Sequence, residues 1–165
     1  MQTEKKTCPC CGAKLTGRDE RISKGIVNNL IKFRIAAINS LKKTGINKVH
    51  LAKDLNLTNN QYNNFQKLRY HGLIAHYKNK ETKEFESGYW VLTSRGNNFA
   101  KNNCFISKKV VIFRNRIVER SEEKVNLSAV LKNDDLPYWD KQDDFGYFFE
   151  DVDDYGTKTE QLELF

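Results

Sequence analysis

At 165 residues, with 39% hydrophobic and 12% aromatic residues and a mean hydropathy of −0.70, the chain can bury one core of ordinary domain size with accessory segments around it. No run of eighteen apolar residues occurs, so nothing reads as a membrane span, and the polar opening Met1 to Lys6 does not read as a secretory signal; a cytoplasmic protein is expected. The net charge of +7 hides an asymmetry: residues 121–165 hold 13 acidic residues against 4 lysines, whereas the first 120 hold 24 basic residues against 8 acidic ones. A basic body of this kind fits a polyanion, because each Lys or Arg brought to a phosphate releases condensed counterions; the plain alternative is a solvated lysine-rich surface.

Three of the four cysteines crowd into Cys8-Pro9-Cys10-Cys11-Gly12, which suits a reducing compartment and metal ligation better than a disulfide framework. The segment resembles a zinc knuckle of the Cys-Pro-x-Cys-Gly kind, and that resemblance implies Cys8 and Cys11 as zinc ligands with Cys10 facing away. A structural zinc takes four protein ligands, yet no second Cys-x-x-Cys follows. Cys104, His50, His71 and His76 are the distant candidates, reached only if residues 1–21 fold back as an arm or two chains of a homodimer share the ion. His71 beside Gly72 reads first as a helix-end residue, and His76 as a strand residue.

Residues 22–120 form the next unit. Ser23 is placed to cap a helix running to about Lys43, with Ile26, Leu30, Phe33, Ala37, Ile38 and Leu41 on one stripe and Gly45 as a left-handed stop. A second, short helix is expected over Lys48 to Leu55, burying Val49, Ala52 and Leu55, followed by a left-handed turn at Asn56. Thr58 is placed to cap a third helix from Asn59 to about His71, with Tyr62, Phe65 and Leu68 facing inward. Two strands follow, Leu73 to Tyr77 and Gly88 to Leu92, joined by the polar loop 78–84; Thr93 or Ser94 then opens another helix.

From Ser23 to Lys101 the chain resembles the winged helix-turn-helix superfamily of DNA-binding domains. The matching residues are Leu68 with Gly72-Leu73-Ile74, the strand Tyr89-Trp90-Val91-Leu92, and the step Leu92-Thr93-Ser94-Arg95-Gly96. The resemblance implies a mainly α member of the α+β class, with a β-hairpin wing and an acidic C-terminal extension. The third helix lacks Asp and Glu, and its outward Asn59, Asn60, Gln61, Asn63, Asn64 and Lys67, with Arg69 or Tyr70 beyond, can pair with base edges or phosphates of double-stranded DNA. Lys78, Lys80 and Lys83 in the wing would reach the DNA backbone, although Glu81, Glu84 and Glu86 oppose this. Asn as mere polar filler is the competing reading.

Val110 to Phe113 and Ile117-Val118 suggest further strands about an Arg114-Asn115-Arg116 turn. Residues 121–165 then interleave aromatic and acidic side chains. Three roles are open: a cover for the basic body, a mimic of DNA charge, or a strap in which some of Tyr138, Trp139, Phe148 and Phe149 pack on the core while the acids stay solvated. The end of the chain, Gln161-Leu162-Glu163-Leu164-Phe165, resembles the pentapeptide by which bacterial replication and repair proteins bind the sliding clamp. That resemblance implies Gln161, Leu162, Leu164 and Phe165 as partner-binding residues. The expectation is therefore a non-enzymatic accessory protein of bacterial or phage DNA replication, repair or regulation, tethered to the clamp. A winged-helix transcriptional regulator and a phage-type inhibitor acting through the acidic tail are the rivals. No clustered carboxylates with histidine, phosphate-cradling glycine loop or nucleophile–base pair points to an enzyme.

Overall fold

The computed structural model describes residues 17–114, 116–132, 134–140 and 147–151. A short strand, β1 (Arg18–Arg21), leads into the helix α1 (Lys24–Thr44), whose first turn is closed by the Ser23 hydroxyl accepting from the Ile26 N–H at 3.4 Å. Gly45 ends it at φ 71°, and its N–H donates to the Leu41 carbonyl. The expected stripe is the buried one: Ile26, Leu30, Phe33, Ala37 and Ile38 lie inside, with Leu41 partly so. Each fully buried Phe or Leu on such a face contributes about 2–3 kcal/mol.

The second helix is shorter than its sequence pattern suggests. Val49 and His50 form β2 (Val49–His50), and only Leu51–Asp54 is helical, as α2. Val49 is buried as a strand residue and Leu51 as a helix residue, while Ala52 is exposed. His50 provides the reason: its Nδ1 accepts from the Ala52 and Lys53 N–H groups, and the Asp54 carboxylate accepts from its own N–H at 2.8 Å. The helix therefore starts after His50. No left-handed turn forms at Asn56.

Thr58 caps α3 (Asn59–Phe65) in a reciprocal box: its hydroxyl accepts from the Gln61 N–H (3.3 Å) and the Gln61 side chain accepts from the Thr58 N–H (3.0 Å). The helix does not run unbroken to His71; it tightens at Gln66 and resumes as α4 (Lys67–Tyr70). Phe65 and Leu68 are fully buried, but Tyr62 is 41% exposed, against expectation. The Gln61 side of the turn faces inward instead, where the Asn29 amide of α1 reaches the Gln61 carbonyl at 3.4 Å. Gly72, at φ 74°, closes α4: its N–H donates to the Arg69 carbonyl and that of Leu73 to the Leu68 carbonyl, the paired bonds of a Schellman stop that a left-handed residue makes possible.

The chain then forms β3 (Ile74–Lys78) and β4 (Phe85–Leu92), antiparallel with Ile74 opposite Leu92 and His76 opposite Trp90. β2 pairs on the other side of β4, Val49 opposite Trp90, so the sheet order is β2-β4-β3. Thr93 caps α5 (Ser94–Ala100), its hydroxyl accepting from the Gly96 N–H at 2.9 Å.

A second layer follows: β5 (Ile106–Ser107), β6 (Lys109–Phe113), β7 (Arg116–Arg120), β8 (Lys124–Val125) and α6 (Leu127–Leu131). The order β1-β6-β7 makes a second three-stranded sheet, and β5 pairs with β8. Tyr70, Val110, Ile112 and Ile117 form a small core beneath it. With eight strands and six helices among the described residues, the fold is mixed α+β rather than clearly mainly α. The difference arises because β1, β2, β5 and β8 are two to four residues long and exist only through pairing with distant partners. None of the helices among the described residues is long and apolar enough to cross a membrane.

The acidic segment divides as a strap would. The Trp139 indole N–H donates to the Ala100 carbonyl at 2.8 Å, and its ring lies 4.4 Å from the guanidinium of the fully buried Arg34. Phe149 enters the main core, and the Glu150 carbonyl accepts from the Ser94 N–H at 2.8 Å. Tyr138 and Phe148 point to solvent, 91% and 81% exposed.

Candidate nucleic-acid interface

The box that fixes the first turn of α3 also sorts its side chains. Asn59, Asn60, Asn63 and Asn64 are all exposed, and none of the described residues of the acidic segment blankets them. Gln61 is half-buried with its side-chain oxygen engaged by the Thr58 N–H, which removes it from the freely presented amides.

The exposed amides belong to two faces. Asn60 and Asn64 line a groove with Lys67, Asp19 and Glu20, an open hollow of about 490 Å³ between α3 and β1. Glu20 is buried there, 2.8 Å from the Arg18 guanidinium and 3.9 Å from the Lys67 ammonium. Lys67 is thus opposed by a carboxylate, and this side of α3 is less positive than its sequence alone suggests. Asn59 and Asn63 share the other face with Tyr62 and Gln66, at spacings of three and four that align on one side of a helix. Sequence reasoning placed Tyr62 in the core and passed over Gln66. The signal that separates the faces is the capping box itself, since a committed Gln61 must lie toward α1 and leaves Tyr62 outside.

Arg69 and Tyr70 do not extend the exposed face. Tyr70 is buried, and Arg69 lies between rings, 5.1 Å from that of Tyr70 and 5.8 Å from that of Trp90, with the His76 Nε2 3.4 Å away. Burial alone would raise the Tyr70 pKa, yet hydrogen bonds and charge from Arg69 and Arg18 hold it below its ordinary value. The local potential at this end of α4 is accordingly positive.

Lys78 and Lys80 are exposed on the β3–β4 hairpin, as is Lys83, which takes φ 60°. The Asn79 side chain orders the loop by accepting from the Glu81 and Thr82 N–H groups. Of the three hairpin glutamates, Glu86 is neutralised internally: it lies 2.9 Å from Lys48, whose hydrogen bond pulls the carboxyl pKa down. Lys48 in turn sits over the Tyr77 and Tyr89 rings at 4.7 and 4.3 Å. Glu81 and Glu84 remain exposed beside the lysines.

Cys8 and Cys11, expected as zinc ligands, and Gln161, Leu162, Leu164 and Phe165, expected to bind the clamp, lie outside the described residues. Among those that are described, no group of three or more His, Cys, Asp and Glu could hold a metal. The distant candidates are dispersed: His50 accepts from the α2 backbone, His76 stacks on Trp90 at 4.0 Å, and the Cys104 thiol, its pKa raised by burial, points at the Arg95 carbonyl. These residues do not converge on one centre. Comparison with protein-family models, curated proteins and solved structures finds no match for the chain.

Proposed function

We propose that this protein binds double-stranded DNA through a winged helix-turn-helix formed by α1, α2, α3–α4 and the β3–β4 hairpin. The observation that carries the reading is an order of elements, α1-β2-α2-α3-α4-β3-β4 with sheet order β2-β4-β3, combined with an acid-free helix that presents Asn59, Tyr62, Asn63 and Gln66 to solvent. Amide side chains of this kind donate and accept in one bidentate pair at adenine, and the neighbouring hairpin lysines suit phosphates. The reading extends to a replication, repair or regulatory accessory protein tethered to the bacterial sliding clamp through Gln161, Leu162, Leu164 and Phe165, on sequence alone.

Fluorescence anisotropy with an AT-rich duplex over a range of salt tests the DNA half. Binding should weaken with a log–log slope of about −0.9 per neutralised phosphate, and Lys78→Gln and Lys80→Gln should each reduce that slope. A wild-type protein with no affinity for duplex even at low salt overturns it. For the tether, deletion of Leu164 and Phe165 should abolish binding to immobilised clamp; equal binding removes that half.

A second reading, an inhibitor that engages a host protein through the acidic segment, is favoured by the solvent-facing Tyr138 and Phe148 among carboxylates. It predicts no salt-dependent DNA binding.

A further inference from the structure

His71 is 2% exposed, yet neither of its ring nitrogens has a hydrogen-bond partner. A buried polar group left unmatched costs about 1–3 kcal/mol, and such a group in a native fold calls for a ligand, ion or water that completes it. His71 lines a cavity of about 140 Å³, together with Arg95, Ser107, Arg120 and Lys124. These five side chains come from five elements: the turn after α4, then α5, β5, β7 and β8. None of the lining residues among those described is acidic.

We propose that this cavity is a binding site for a tetrahedral phosphate-type oxyanion. Among the described residues the lining is rich in donors: two guanidinium groups, an ammonium, a hydroxyl and one imidazole N–H. Arginine has five N–H donors in a planar fork, so Arg95 and Arg120, which take part in further interactions within the protein, can each serve an anion as well. The volume fits one such ion with a few waters, since a water molecule occupies about 30 Å³. The neutral imidazole suits the site too: burial, then the charge of Arg120, hold its pKa at about 4, so it offers a single N–H donor and an acceptor for water. Ile106 and Val110 add apolar surface to the same lining.

The site stands apart from α3 and does not depend on the DNA-binding reading. Inorganic phosphate is the probe, titrated by calorimetry into full-length protein against chloride at matched ionic strength, with the His71 ring followed by NMR. Saturable binding of one phosphate and a shift of the His71 resonances are expected. Lys124→Gln should weaken binding by about tenfold, and Arg120→Gln by at least as much. Lys124 is exposed, so its replacement leaves the fold intact and keeps the test decisive if Arg120→Gln unfolds. Lys132→Gln, outside the cavity, should change nothing.

Two sources could supply the same chemistry. Competition by duplex DNA assigns the phosphate to a nucleic-acid backbone; undiminished phosphate binding in excess duplex assigns it to a free phosphate or phosphorylated small molecule. Either result supports the site. The absence of a phosphate-specific response, or an unchanged response in the Arg120→Gln and Lys124→Gln variants, overturns it. Asn63→Ala separates the two proposals, since it should impair DNA binding alone.

Discussion

Gly96 packs against the carbonyl oxygen of Leu73 so closely that a methyl group at residue 96 would overlap it. The same carbonyl receives the Thr93 N–H at 3.2 Å and lies 2.9 Å from the Thr93 hydroxyl, while that hydroxyl accepts from the Gly96 N–H. One backbone oxygen thus locks the end of α4, the end of β4 and the start of α5. Gly96→Ala should destabilise the protein by about 3 kcal/mol, because the obstructing atom is backbone and cannot rotate away. Thr93→Val should cost about 1–3 kcal/mol through the lost bonds of a fully buried hydroxyl. Urea denaturation checks both; a Gly96→Ala protein as stable as wild type contradicts this geometry.

Gln61 and Asn63 are neighbours with opposite roles. Gln61→Ala breaks one arm of the capping box and should lower stability by about 1 kcal/mol. Asn63→Ala touches nothing in the fold and should leave the thermal midpoint unchanged while weakening DNA binding; loss of one good base contact is worth about 1–3 kcal/mol. Thermal melts and anisotropy on both variants separate these effects. The pattern reversed would mean that the helix is rotated from the face described.

Trp139 and Tyr138 form a second contrast. Trp139→Ala loses the bond to the Ala100 carbonyl and uncovers Arg34, and should cost about 3 kcal/mol. Tyr138→Ala removes a ring that is almost wholly in water, so its effect on stability should stay within about 0.5 kcal/mol. If the inhibitor reading holds, Tyr138→Ala lowers partner affinity without shifting the denaturation midpoint.

His71 makes stability depend on pH. Burial first, and the positive charge of Arg120 second, push its pKa down to about 4, against 6.5 for an ordinary histidine. Across this window the unfolded chain binds a proton that the folded chain refuses, so stability rises with pH. The contribution is complete above about pH 6.5 and is lost as pH falls toward 4, a total of about 3 kcal/mol. His71→Leu should flatten the stability curve between those limits in phosphate-free buffer. An unaltered slope in that variant would assign the pH dependence elsewhere.

What could be read from the sequence was local. Ser23, Thr58 and Thr93 cap helices as expected, and Gly45 and Gly72 end them, because a cap needs only the next three or four residues. The α1 stripe was legible for the same reason. What depended on distant partners was not. The strand Arg18–Arg21 has no apolar alternation and exists because β6 offers it an edge; Val49 and His50 read as helix until Trp90 and Tyr89 pair with them. In the candidate interface the asparagines were visible, but not the Glu20 carboxylate that meets Lys67 from another element. The polar lining of the cavity beside His71 draws on five elements and left no spacing to read.

The hydrogen bond from Ser94 to the Glu150 carbonyl means that the start of α5 is finished by backbone contributed more than fifty positions later. Cutting the chain after β7 would therefore strip an acceptor from that helix and open the hydrophobic interior where Leu127, Leu131 and Phe149 sit. Whether the carboxylates of this strap repel DNA must be asked by neutralising them where they stand, Asp to Asn, with every ring left in place. Truncation would measure unfolding.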